Sequence, residues 1–102
     1  MAAFDGKVVI VTGGALGIGG ATAREFSREG ASVVIADLDR QAGQATCSEI
    51  EAAGGNAFFV EADVSRAADC RRVVEEAVSV FGGVDVLFNN VGIQPPESYK
   101  NV

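Results

Sequence analysis

Four short apolar runs punctuate the chain, and between them the hydropathy takes on a helical period. The first run, Lys7 to Val11, holds four consecutive β-branched residues, Val8-Val9-Ile10-Val11. An unbroken apolar run predicts a central parallel strand covered on both faces rather than a half-exposed strand of alternating polarity. Ser32 to Ala36, ending at Asp37, predicts a second strand. Ala57 to Glu61, carrying Phe58, Phe59 and Val60, predicts a third, and Val84 to Phe88 a fourth. Helices are predicted over about 17–29, 40–53 and 66–81. In the first, Ile18, Ala21, Thr22 and Phe26 share a face, small Gly20 and Ala21 allow close approach to the sheet, and Gly30 stops the helix. In the second, Ala42, Ala45, Thr46, Ile50 and Ala53 share a face behind an Asp39 N-cap, and Gly54-Gly55 ends it. In the third, Cys70, Val73, Val74, Ala77, Val78 and Phe81 follow i, i+3, i+4, i+7 spacing, while Arg71–Glu75 and Arg72–Glu76 pair on the solvent side. The order β-α-β-α-β-α-β predicts an α/β fold with a doubly wound parallel sheet.

Length and charge narrow the function. The 102 residues suffice for one small domain, and a net charge of −6 argues against nucleic acid or an anionic membrane surface as partner. No apolar run approaches the ~20 residues of a membrane span. The N-terminus lacks a basic segment followed by an apolar one, so no signal peptide is expected and the chain is placed in the cytoplasm. Cys47 and Cys70 stand far apart and are expected to be reduced and packed. The chain has no histidine, which removes a zinc site and any Ser-His-Asp or Cys-His mechanism within it.

The chemistry gathers where strands end. Strand one runs into Thr12-Gly13-Gly14-Ala15-Leu16-Gly17-Ile18-Gly19 and then a helix. Strand, glycine turn, helix is the order a dinucleotide site requires. The glycines let the backbone approach a pyrophosphate, and the helix start offers unpaired N–H groups and its positive dipole end. The spacing is not G-x-G-x-x-G, because Thr22 stands where the third glycine belongs, and no Gly-Lys-Ser/Thr follows as in a Walker-type ATPase. Asp37 ends strand two, eighteen residues after Gly19. A carboxylate there can accept from both ribose hydroxyls and repel a 2′-phosphate, although Asp also caps turns. No basic residue stands at positions 14–16 or 38, and Arg40 opens the second helix, which favours NAD over NADP. A flavodoxin-like FMN site would leave Asp37 and Asp63 without a task. Asp63-Val64-Ser65 precedes the third helix; Asp63 by itself reads as an N-cap, unless Ser65 takes the cap and leaves it free. Asn89-Asn90-Val91-Gly92 alone is a turn signal.

Taken together and in this order, the T-G-x-x-x-G-x-G loop, Asp37, Asp63-Val64 and Asn89-Asn90-Val91-Gly92 resemble the short-chain dehydrogenase/reductase family from about Lys7 to Gly92. The resemblance implies a Rossmann-type sheet, here truncated to about four strands in the order 3-2-1-4 with three helices. Residues 1–102 would be the N-terminal part of a single NAD-binding domain. It implies that Gly13 makes the turn and that Gly17 and Gly19 open the helix beneath the pyrophosphate. Asp63 would hold the adenine amino group with help from the Val64 backbone. Asn89 would brace the sheet, and Asn90 and Gly92 would lie near the nicotinamide half. Leu16, Ile18 and Leu38 complete the expected cofactor contacts. Val91 departs from the family's alanine. The family's catalytic Ser and Tyr-x-x-x-Lys are not identifiable: the only tyrosine is Tyr99, with Lys100 adjacent. No catalytic residue and no metal ligand are therefore assigned in this chain. The implied function is the NAD-binding portion of a longer, homo-oligomeric oxidoreductase moving hydride to or from an alcohol or carbonyl substrate. A non-catalytic nucleotide-binding module or sensor is the alternative. The outer edge of strand four and the helix faces beside it are expected to be bare.

Overall fold

The computed structural model describes residues 3–90. Its elements are β1 (Val8–Thr12), α1 (Gly17–Arg28), β2 (Ser32–Asp37), α2 (Arg40–Ala52), β3 (Asn56–Glu61), α3 (Ala67–Phe81) and β4 (Val86–Asn89). The strands form one parallel sheet in the order β3-β2-β1-β4. The fold is the Rossmann-like arrangement expected, with β1 fully buried at its centre.

Alternation along each strand divides the apolar residues between two layers. Val9, Val11, Val33 and Ile35 point to one face, where Ala23 of α1 and Cys47 and Ile50 of α2 cover them. Ile10, Val34, Ala36 and Val60 point to the other, against Val73 and Ala77 of α3. Phe26 joins α1 to both ends of the chain's first layer, meeting Phe4 edge-on at 5.0 Å and Phe88 at 6.3 Å between ring centroids.

The helix ends follow local chemistry. Asp39 caps α2 by accepting the Ala42 N–H at 3.0 Å. Gly82, in the left-handed region at φ 90°, ends α3 and returns its N–H to the Val78 carbonyl at 2.8 Å.

The helix faces differ from expectation. In α1 the buried residues are Gly19, Gly20 and Ala23, whereas Ile18 and Ala21 are exposed. In α2 they are Gly43, Thr46, Cys47 and Ile50, whereas Ala45 and Ala53 face solvent. Both helices lie so close to the sheet that glycines form the contact; a Cβ on Gly43 would overlap the Phe59 ring. In α3 only Val73 and Ala77 are buried, and Cys70, Val74 and Val78 are exposed. Cys70 is therefore not packed, although Cys47 is. Strand four begins two residues later than expected. Asp85 meets Val8 with its carboxylate as well as its N–H, both at 2.8 Å, in place of a regular ladder.

Among the described residues β4 is paired on one side only. Beside that edge Leu87 is 59% exposed, on the same face as its register partner Ile10, which is 1% exposed. No described helix is long and apolar enough to cross a membrane.

Two outcomes follow in the 102-residue chain. Ile10→Ala should cost about 2–5 kcal/mol in urea denaturation, whereas Leu87→Thr should change stability by less than about 0.5 kcal/mol. Equal costs would mean that the face beside β4 is covered. Burial pushes the Cys47 thiol up from 9.0 to about 11, with the Glu51 charge adding to the shift. The unfolded chain therefore releases this proton first, and stability should fall as pH rises from about 9 toward 11. Cys47→Ala should flatten that limb of the pH–stability curve.

Candidate functional site

All four strands point their C-terminal ends to one side, and a cleft of about 220 Å³ opens there. Gly13, Asp37, Leu38, Asp63, Val64 and Asn90 line it, together with Ala36, Ala62 and Ser65. Six residues singled out from the sequence thus converge, although they lie in four separate loops. Open parallel sheets bind ligands at this edge, where the crossovers diverge to opposite faces.

The glycine loop is built around β4. Thr12 ends β1 with its hydroxyl donating to Asn89 Oδ1 at 2.8 Å and accepting the Asn90 N–H at 3.0 Å. Asn90 Nδ2 donates to the Gly13 carbonyl at 3.3 Å. Gly13 takes φ 65°, and a Cβ on it would come 2.9 Å from the Asn90 carbonyl oxygen. A Cβ on Gly19 would overlap the Gly13 carbonyl. These two glycines therefore clear space for the protein's own backbone, and the φ of Gly13 suits the turn expected of it. Gly17 differs: it takes φ 58°, yet nothing lies within 4 Å of where its Cβ would stand.

Leu16, Gly17 and Ile18 do not line the cleft; they form the exposed start of α1, with Leu16 65% and Ile18 64% exposed. Leu16 is the N-cap and has no side chain able to cap, and the first turn carries no acidic residue. The N–H groups of Gly17, Ile18 and Gly19 have no protein partner among the described residues. Where α2 satisfies its own N-terminus through Asp39, α1 leaves donors and the positive end of its dipole to an anion.

Asp37 uses both carboxylate oxygens on backbone. Oδ1 accepts the Asp39 N–H at 3.0 Å, and Oδ2 accepts the Ala15 N–H at 3.2 Å. It does cap a turn, and it also ties strand two to the glycine loop. A carboxylate offers about four acceptor positions, so two remain for a ligand.

Asp63 is not the helix cap that its position before α3 suggests: the N-cap is Arg66, and Ser65 does not cap the helix either. The Ser65 hydroxyl and N–H both donate to Asp63 Oδ1. The hydroxyl bond chiefly, then the N–H bond, and lastly the Arg66 charge hold the carboxyl below its ordinary range, against a small opposing effect of desolvation. Asp63 Oδ2 and the Val64 N–H have no partner among the described residues. Asp69 steadies the loop from α3 by accepting the Asp63 N–H at 2.7 Å.

A larger polar cleft of about 560 Å³ adjoins along β3, shared through Leu38 and Asp63. Its arginines are engaged: Arg40 Nε donates to Glu61 Oε1 at 2.8 Å, and Arg72 donates to the Glu61 carbonyl at 2.6 Å. Gly92, Val91, Tyr99 and Lys100 lie outside the described residues. The sequence does not single out Ala15 or Asp69, and it offers Ser65 as a helix cap rather than as the donor to Asp63. Ala15 contributes only backbone, and the other two shape a neighbour, so neither residue type nor spacing marks these roles.

Known proteins agree with this architecture. The family model described as short chain dehydrogenase matches residues 7–102. A 2,5-dichloro-2,5-cyclohexadiene-1,4-diol dehydrogenase of Sphingobium indicum is 44% identical over 95 residues, which covers 93% of this chain and 38% of the relative. Tropinone reductase-like 1 of Erythroxylum coca is 45% identical over 90 residues, covering 88% of this chain and 32% of the relative. A solved hydroxysteroid dehydrogenase from Escherichia coli superposes with a TM-score of 0.86 at 34% identity, covering 96% of this chain and 42% of that one. The chain thus spans about two fifths or less of the relatives it matches. On the match over residues 7–102, the chain belongs to the short-chain dehydrogenase/reductase family.

Proposed function

We propose that residues 1–102 are the N-terminal part of a single dinucleotide-binding domain, and that they bind NAD for an oxidoreductase acting on an alcohol or carbonyl substrate. The observation that carries this reading is the convergence of Gly13, Asp37, Leu38, Asp63, Val64 and Asn90 on one cleft beside an uncapped α1. The residues fit the group. The open N–H groups of Gly17, Ile18 and Gly19 suit a pyrophosphate, and the unobstructed side of Gly17 leaves room for it. The unused acceptor positions of Asp37 suit the adenosine ribose hydroxyls. Asp63 Oδ2 and the Val64 N–H suit an adenine amino group and ring nitrogen, one accepting and one donating. The exposed apolar side chains of Leu16, Ile18, Leu38 and Val64 offer surface to the cofactor's rings and riboses.

NAD rather than NADP is favoured by two features. Asp37 places a carboxylate where a 2′-phosphate would need a cation. Arg40, the nearest arginine in sequence, is paired with Glu61. When bound, a nicotinamide dinucleotide supplies the carbon that gives or takes the hydride. This chain's residues would bind and orient it: α1 would hold the diphosphate, Asp37 and Asp63 the adenosine half, and Asn90 would border the nicotinamide half. No residue of this chain is assigned a proton transfer. The parent is proposed to be a cytoplasmic homo-oligomer, in keeping with two unbridged cysteines and the bare apolar faces beside β4.

Titration with NAD and NADP, followed by calorimetry, tests the reading. The unaltered chain should bind NAD more tightly than NADP. Asp37→Ala should weaken NAD by about tenfold or more and narrow its advantage over NADP, because hydrogen bonds to a charged group are lost. An unchanged NAD:NADP ratio would remove the ribose assignment. Gly17→Ala should fold, with about 1–2 kcal/mol of left-handed strain, yet lose NAD affinity by about tenfold or more. Near-wild-type affinity in a folded Gly17→Ala would count against the loop.

A further inference from the structure

The backbone of Ala15 is held on both its peptide groups. Its N–H goes to Asp37 Oδ2 at 3.2 Å, as described, and its carbonyl accepts a hydrogen bond from the Thr46 hydroxyl at 2.8 Å. Thr46 sits in the middle of α2, only 4% exposed, and does not line the cleft. Its hydroxyl reaches out of an otherwise small and apolar helix face, between Gly43, Cys47 and Ile50, to a loop 31 residues earlier. A buried hydroxyl is retained at a cost unless it is hydrogen-bonded, and here its partner is the last peptide before the N-cap of α1.

We propose that Thr46 is a positioning residue for dinucleotide binding. By fixing the Ala15 carbonyl it sets the direction in which Leu16, Gly17 and Ile18 leave the sheet, and so aims the open N–H groups of α1. The argument is geometric. Ala15 itself is buried, at 2% exposure, while the next three residues are exposed and carry no side-chain hydrogen bond among the described residues. The loop's direction is therefore decided upstream of them, at Ala15, whose N–H and carbonyl are held by side chains from two different elements. Asp37 faces the cleft and would be shared with a ligand. Thr46 is buried and does not line the cleft, so its bond is not one that a ligand there would share. In the proposed NAD site, Thr46 thereby supports the diphosphate contact directly and reaches the adenosine half only indirectly, through the Ala15 N–H on Asp37. The inference rests on the NAD reading for its ligand but not for the loop geometry.

The test compares Thr46→Val, which keeps the shape and removes the hydroxyl, with Thr46→Ser, which keeps the hydroxyl. Binding of NAD and of adenosine is titrated on the whole chain, and amide hydrogen exchange is followed residue by residue without ligand. Thr46→Val should weaken NAD about three- to tenfold, the value of one net hydrogen bond, weaken adenosine by less than about twofold through the Ala15 N–H on Asp37, and speed exchange at Ala15 and Gly20 but not in β1 or β2. Thr46→Ser should restore NAD binding. Equal losses for NAD and adenosine, with faster exchange throughout the sheet, would make Thr46 merely structural and overturn the proposal. So would wild-type affinity and unchanged exchange in Thr46→Val. If the unaltered chain fails to bind NAD, the cofactor reading falls, and the exchange pattern alone then decides the role of Thr46: a local change at Ala15 and Gly20 upholds it, and no change overturns it.

Discussion

The structure depends on how closely α1 can begin after β1 ends. The chain must leave the sheet, turn and start a helix within four residues, between Thr12 and Gly17. That is possible only because the Gly13 carbonyl occupies the space a Cβ on Gly19 would need, and because Gly13 itself adopts φ 65° under the Asn90 backbone. Three segments, the ends of β1 and β4 and the start of α1, therefore share one volume. The Thr12 hydroxyl joins two of them, accepting from Asn90 and donating to Asn89. The tight turn exposes the first N–H groups of α1 beside the cleft without any side chain to cap them. The anion-seeking end of the helix is a consequence of the same packing that closes the sheet.

Much of the fold was legible because parallel strands between two helical layers are apolar on both sides. Val8 to Val11 and Val33 to Ala36 carry that signal undiluted, and the helices between them announce themselves by period and by Asp39 and Gly82 at their ends. The helix faces were less legible for a physical reason. Where a helix approaches a sheet closely, the contact residues are glycine and alanine, whose hydropathy is weak. Gly19, Gly20 and Gly43 thus carry burial that a search for large side chains assigns to Ile18 and Ala45. Cys70, Val74 and Val78 show the opposite failure. Their spacing is that of a buried stripe, yet in the described residues α3 covers only part of the sheet, and β4 beyond it stays open.

The cleft was legible to the extent that its residues act through their own side chains at strand ends. Asp37, Leu38, Asp63, Val64 and Asn90 all meet there. What spacing could not resolve was the division of labour around each carboxylate. Asp37 suits a turn cap or a ligand contact by position, and its two oxygens leave room for both tasks. Asp63, from its position alone, suits a helix cap or a ligand contact. It caps nothing: Ser65 saturates one oxygen and keeps the group ionised while the other stays open. Such assignments depend on which atom accepts which bond, and residue type alone does not encode that.

The sharing at Asp37 has an energetic consequence. The carboxylate that holds the Ala15 N–H is the one proposed to receive the ribose hydroxyls. Each new bond at Asp37 orients the same group more firmly, so a ligand at the ribose position and order in the glycine loop favour one another. Linkage makes that preference reciprocal: whatever a ribose gains from an ordered loop, an ordered loop gains from the ribose. The two halves of a dinucleotide would then bind more tightly joined than their separate contacts suggest, with the covalent connection in the ligand matched by a hydrogen-bonded connection in the protein. Thr46 adds a grip that no ligand competes for, holding the Ala15 carbonyl from behind. In that arrangement Asp37 transmits between subsites, and the helix behind it supplies the fixed point against which the transmission works.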